Sequence, residues 1–180
     1  MNSGSLNHIS FGGQSEEARK VCRSLGATGV MRIADVKKKY GKETYKELIE
    51  NKMVKPFHSY NNGKDNSVIH LTEKGKSYTR KHLTYGSLYR WNRLQLNHDI
   101  ELNKVYQKLS FEEQRSWQNE SQIRLFSKGA IKGIDGAYTR KDGKTVAVEI
   151  VTPNYPASKL AAKIKTIKEH YDDVEVRVVQ

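Results

Sequence analysis

The sequence predicts an α+β protein in two parts, a helical segment closed by a β-hairpin and then a small α/β layer, and three observations predict it. Apolar residues recur every three or four positions between residues 14 and 53, the spacing of amphipathic helices. Two β-prone runs, 54–60 and 67–72, flank Asn61-Asn62-Gly63-Lys64-Asp65-Asn66, whose Asn and Gly residues tolerate the positive φ of a hairpin turn. Past Gly129 the period changes, because residues 130–138, 145–151 and 174–179 alternate or are β-branched while residues 158–171 are helical through Leu160, Ile164, Ile167 and Tyr171.

In chain order, residues 1–13 are rich in Asn, Ser and Gly and are expected to form a flexible tail. Residues 14–27 make the first helix, with Ala18, Val21, Cys22 and Leu25 on one side. Val30, Ile33, Val36 and Tyr40 stripe a second, broken at Tyr40-Gly41. Tyr45, Leu48, Ile49 and Met53 turn one face of residues 42–52 to a core, leaving Lys42, Glu43, Thr44, Lys46, Glu47 and Glu50 outward. Helix, helix, hairpin is the order of a winged-helix DNA-binding domain, here over residues 14–84, with residues 42–52 as recognition helix and the hairpin as wing. Thr72 is expected to cap a further helix running to about Leu83. Gly75-Lys76-Ser77 in that helix superficially matches a phosphate-binding loop, but His70 stands where the motif needs its first glycine.

Charge agrees with a polyanionic partner. The chain of 180 residues carries a net charge of +12, and residues 1–96 hold 18 basic against 8 acidic side chains while residues 97–180 hold 14 against 12. The positive field therefore belongs to the first part, where phosphate contacts and counterion release would use it. Candidate DNA contacts are Lys42, Lys46, Lys55 and Lys64, with Lys37, Lys38 and Lys39 close by, and Glu43 or Thr44 for base edges. A single cysteine allows no internal disulfide and, with no long apolar run, leads to the expectation of a cytoplasmic protein without a membrane span.

Residues 85–97 form an aromatic connector, in which Tyr85, Leu88, Tyr89, Trp91, Leu94 and Leu96 interleave with Arg90 and Arg93; packing between the two parts, or against a second subunit, is its expected role. The second part, residues 98–180, reads α-α-β-β-α-β. His98, Leu102, Val105, Tyr106 and Leu109 stripe one helix, which makes His98 a core histidine, and Ser110 with Glu113 caps another expected to run to about Phe126. Asp135 ends one strand, Asp142-Gly143 marks a hairpin, and Glu149 lies in the apolar run Val146-Ala147-Val148-Glu149-Ile150-Val151. A carboxylate there needs a partner, a cation or an edge position. Two carboxylates met across a hairpin suit Mg²⁺. Histidine and cysteine spacing suggests no zinc site, and no nucleophile elbow or dinucleotide motif occurs.

Asp135, the hairpin and Glu149 resemble the PD-(D/E)xK nuclease core, in which an acidic pair holds the metal and a lysine two positions after the second acid helps activate water. The resemblance would make Glu120 the acid of the first helix. The position two after Glu149 is Val151, and Gly133-Ile134 replace the usual proline before Asp135. The order of a winged helix, His98-Asp99-Ile100-Glu101-Leu102, Trp117-x-x-Glu120-x-x-Ile123-Arg124, Ile134-Asp135-Gly136, Val146-Ala147-Val148-Glu149 and a Lys-rich helix is similar to the replication-relaxation proteins of plasmids and other mobile elements. That resemblance implies a role in replication, relaxation or mobilisation.

The expectation is a DNA-binding homodimer whose degenerate nuclease-like half serves assembly or contacts with replication or mobilisation proteins. The alternative is a Mg²⁺- or Mn²⁺-dependent endonuclease with Asp135 and Glu149 as ligands, Lys159, Lys163 or Lys132 supplying the missing charge.

Overall fold

A computed structural model describes residues 13–61, 63–83, 87–129, 131 and 133–179, without the side chains of Asn61 and Lys64. The expected tail, apart from Gly13, thus lies outside the described residues, as do Tyr85 of the connector and Lys132; the Lys64 contact lies outside them too. The chain is mixed α+β, with a three-stranded, a two-stranded and a four-stranded sheet.

The first half opens with α1 (Glu16–Thr28), capped by Ser15, whose hydroxyl accepts from the Ala18 amide. Its predicted apolar face, Ala18, Val21, Cys22 and Leu25, is buried. Then follow β1 (Val30–Arg32), α2 (Ile33–Lys39), α3 (Lys42–Glu50), β2 (Val54–Phe57), β3 (Tyr60–Asn61), β4 (Lys64–Asp65), β5 (Val68–Leu71) and α4 (Glu73–His82). The helical stripe expected from Val30 is wrong at its start, because residues 30–32 pair antiparallel with β5, a partner nearly forty positions away that local periodicity cannot reveal. β2 takes the other side of β5 and, as an edge strand, tolerates Pro56, which has no N–H to give the ladder. Pairing resumes between Tyr60 and Asp65 and between Asn61 and Lys64, so the six-residue loop expected at 61–66 is a tight turn with Gly63 at φ +72°. α4 is capped by Thr72, as predicted, whose hydroxyl accepts from the Gly75 amide at 3.1 Å.

The second half contains α5 (Leu96–Lys108), α6 (Phe111–Ser116), β6 (Gln118–Asn119), α7 (Glu120–Phe126), β7 (Gly136–Thr139), β8 (Thr145–Val151), α8 (Ala157–Ile167) and β9 (Asp173–Val178). The single helix expected from Ser110 to Phe126 is two, since the chain turns extended at Trp117, pairs briefly with β7, and restarts on a second capping box of Asn119 and Gln122. The strand expected at 130–138 begins only at Gly136, so Asp135 precedes a strand instead of ending one. The helix expected to reach Tyr171 stops at Ile167. The sheet runs β6-β7-β8-β9, antiparallel except for β8 and β9, which α8 connects in parallel. Both faces of β8 are covered, which explains its unbroken apolar run. Val146, Val148 and Ile150 pack with Leu102, Val105 and Tyr106 of α5, whereas Ala147 packs with Ile123 and Ile167.

The halves share their cores across α1 and α5. Ala27 joins the α5 cluster, and Leu88 of the connector joins the α1 cluster. Buried Asn103 donates to Ser24 Oγ and Thr28 Oγ1, both at 2.8 Å, so the polar groups of this contact are satisfied. A Cβ on Gly29, at φ +85°, would lie 2.7 Å from Trp91 Cβ and 2.8 Å from Tyr89 Cδ1; its smallness lets the connector cross the end of α1. Trp91 then sits against Phe57 and His70, with ring centroids 5.5 and 4.8 Å away. This is the packing role expected of the connector. No described helix is long and apolar enough to cross a membrane.

Candidate functional site

Two of the acids singled out in the sequence, Asp135 and Glu149, lie on neighbouring segments of the four-stranded sheet. Asp135 is held where β7 begins by two backbone bonds, its amide donating to Val148 carbonyl at 3.2 Å and its Oδ2 accepting from the Ile150 amide at 2.7 Å. It therefore flanks Glu149 on the neighbouring strand. Alternation along β8 sends Glu149 to the same face as Ala147 and Val151, the face covered by α8. There the Lys163 ammonium forms an ion pair with Glu149 Oε1. Lys163 lies one helical turn before buried Ile167 and so faces the sheet, whereas Lys159, a turn earlier, is exposed. Of the described lysines weighed for this role, Lys163 is the one that reaches the acids. Glu149 Oε2 is buried and has no partner among the described residues.

His98 is partly buried and satisfied at both ring nitrogens, and its partners are carboxylates of the site. Its Nε2 lies 3.1 Å from Asp135 Oδ1 and its Nδ1 3.1 Å from Asp99 Oδ1. Asp99, wholly buried, also accepts from the Tyr89 hydroxyl at 2.9 Å and the Asn92 amide at 3.0 Å, which ties the connector to the site. Helical spacing placed His98 correctly on the inner face; what it could not convey is that a second carboxylate, 37 positions later, waits there. Glu120 opens α7 and is exposed. It does not join Asp135 and Glu149 in a three-ligand group, and no such group of His, Cys, Asp and Glu occurs among the described residues.

Electrostatics couple these groups. Burial, then the neighbouring Asp135 charge, push the Glu149 carboxyl up to about 7 against the opposing pull of Lys163. Burial disfavours the His98 imidazolium, but its bonds to Asp135 and Asp99 outweigh that and raise it to about 10. Unfolded, the two groups would titrate at 4.5 and 6.5. The folded chain thus binds the extra proton at Glu149 between about pH 4.5 and 7 and at His98 between about 6.5 and 10, and stability declines with rising pH through both windows. In chelator, Tm is expected to fall by roughly 5 °C or more between pH 5 and 9.5. Glu149→Gln should flatten the lower part of that slope and His98→Gln the upper; a Tm rising over this range would contradict the coupling.

The candidate DNA-contacting residues fare unevenly. Lys42, Glu43, Lys46 and Lys55 are exposed, as are Lys37 and Lys38. Lys37 lies over the Tyr45 ring at 4.7 Å. Thr44 is buried and donates its hydroxyl to the Tyr40 carbonyl at 2.6 Å, so it cannot reach a base edge from this position. Lys39 is turned to α5, where it donates to Gln107 Oε1 at 2.7 Å. Glu47 is not outward either, since its carboxylate accepts from the Ser15 amide and hydroxyl at 2.8 and 2.6 Å.

No protein-family model, curated protein or solved structure matches the chain.

Proposed function

We propose that this chain is a double-stranded DNA-binding protein, its first half a winged helix and its second a PD-(D/E)xK-like centre that cuts the phosphodiester backbone with Mg²⁺ or Mn²⁺. The observation that carries the catalytic part is Lys163 paired with Glu149 beside Asp135, the positive charge that Val151 denies the strand itself. It moves the weight from the non-catalytic half expected on sequence to a working one. Asp135 and Glu149 would hold the ion, and the partnerless Glu149 Oε2 fits that use. Two protein carboxylates completed by water and phosphate oxygens are a usual set for Mg²⁺. Such an ion would polarise the phosphoryl oxygen and make its bound water more acidic. Lys163 would set a cation near the charge that develops on the phosphoryl group. His98, held by Asp99, orients Asp135.

The first half brings this centre to DNA. Lys42, Lys46, Lys55 and Lys64 would meet phosphates, Lys37 and Lys38 support them, and Glu43 would accept from a cytosine amino group. The biological setting implied by the resemblance is replication, relaxation or mobilisation of a plasmid or other mobile element, with a homodimer on a palindromic site. Sedimentation giving only monomers, free and on DNA, removes the dimer.

A second reading, DNA binding without cleavage, draws on the fact that both acids already have cationic partners in His98 and Lys163. One incubation of pure protein with labelled duplex and supercoiled plasmid, in Mg²⁺, Mn²⁺ or chelator, separates the two. Metal-dependent nicking supports the proposal. Metal-independent binding without breaks, weakened by Lys42→Ala or Lys46→Ala, supports the second reading instead.

A further inference from the structure

A cavity of about 700 Å³ lies away from Asp135 and Glu149, between α1, α4 and the α6–α7 segment. Arg23, Arg80, Lys81 and Arg115 line it, and no described carboxylate does. A second cavity of about 470 Å³ shares Arg80 and Ser87 with it and adds Arg90, Arg124 and one carboxylate, Glu120. It also reaches Tyr89, whose hydroxyl bonds Asp99 and so adjoins the candidate site.

The arginines here lack the carboxylate partners that three others in the chain have. Arg32, Arg140 and Arg177 pair with Asp35, Asp173 and Glu175, whereas Arg23, Arg80, Arg90, Arg115 and Arg124 form no salt bridge with a described carboxylate. In the larger cavity, gathering like charges without a lining counter-charge costs free energy, which a polyanion recovers. Two further features narrow the ligand. Phe111 and Phe126 line the larger cavity and are 57% and 63% exposed, and the Arg23 and Arg115 guanidinium groups lie 5.7 and 5.9 Å from the Phe111 ring centre. The indole nitrogen of Trp117, another wall residue, is buried with no acceptor among the described residues.

We infer that these two neighbouring cavities bind an unpaired nucleic-acid strand, its phosphates on Arg23, Arg80, Arg115, Arg90 and Arg124 and its bases stacked on Phe111 and Phe126. This rests on the nucleic-acid reading above and deepens it, because the substrate of the acidic centre becomes DNA with a single-stranded segment. Charges spread along two cavities that share Arg80 and Ser87 exceed the reach of one phosphate, and exposed aromatic rings beside a basic groove are what sequence-tolerant single-strand binding uses.

The test is fluorescence anisotropy in chelator with a labelled 20-nucleotide oligothymidylate and a duplex of equal length, over a range of salt concentrations. Arg80→Ala with Arg115→Ala should weaken oligothymidylate binding by about 10-fold or more and reduce the salt slope by about 1.4, the single-strand value for two lost phosphate contacts. Phe111→Ala should weaken it by about 10-fold with the slope unchanged. All three side chains are exposed, so circular dichroism should report the wild-type fold. Lys42→Ala should weaken only the duplex. Wild-type affinity and slope in the double arginine variant overturn the inference, as does full displacement of the oligomer by equimolar thymidine monophosphate. Duplex binding without oligothymidylate binding removes the cleft alone; binding of neither removes the DNA reading with it.

Discussion

Lys163→Ala is expected to reduce metal-dependent nicking by about 10²–10³-fold, the usual cost of removing one group that stabilises developing charge, while Lys159→Ala leaves it unchanged. The two lysines are a single helical turn apart, so local charge is nearly the same in both variants. They differ in that Lys163 meets Glu149. Val151 shares the Glu149 face of β8, which offers a stricter form of the experiment. Val151→Lys in the Lys163→Ala background puts an ammonium two positions after Glu149, where the PD-(D/E)xK pattern has one, and is expected to recover at least about tenfold of the loss. Retained duplex binding shows that each variant is folded. Equal nicking by Lys163→Ala and wild type would leave Lys163 as a partner that merely neutralises a buried acid.

Gly75→Ala is expected to be among the most destabilising single-methyl changes in the chain. A Cβ there would lie 2.0 Å from the Met53 carbonyl oxygen and 3.0 Å from its carbon, both backbone atoms that no rotamer change can move aside. The clash sits inside a bonded cluster, because Thr72 Oγ1 donates to Lys52 carbonyl at 2.6 Å and accepts from Gly75, while Thr79 donates to the Gly75 carbonyl at 2.8 Å. Overpacking of this kind costs about 3 kcal/mol, and a Tm lower by roughly 10 °C follows for a chain of this length. Lys76→Ala, next along the helix and bound only to Glu73 at the surface, should leave Tm nearly unchanged. A Gly75→Ala protein as stable as wild type would contradict the packing. The glycine of the false phosphate-loop motif is thus accounted for by the close approach of helix and strand.

These cases mark what the sequence makes legible. Elements stabilised by their own periodicity and caps are readable: α1 through Ala18, Val21, Cys22 and Leu25, α4 through Thr72, α6 through its Ser110–Glu113 box, and β8 to the residue. Elements made by distant pairing are not, as β1 and β6 illustrate; each is two or three residues long and exists because a later strand completes it. The second capping box, Asn119 with Gln122, was a readable signal for the break before α7. The site divides in the same way. Asp135 and Glu149 stand out because carboxylates beside apolar strands are costly. His98 and Lys163 join them through packing of α5 and α8 on the sheet, and one-dimensional spacing cannot choose between Lys159 and Lys163. Thr44 failed as a base contact because the turn before α3 takes its hydroxyl.

The measurement that bears most directly on the central claim is Mn²⁺ binding followed by electron paramagnetic resonance near pH 7.5, where Glu149, pushed up to about 7, still yields its proton to a metal. The account predicts one ion per wild-type chain, lost in Asp135→Asn and in Glu149→Gln, with duplex binding intact in both variants. Free Mn²⁺ alone with the wild-type protein, or an ion retained after both substitutions, would contradict a metal-dependent centre at these carboxylates.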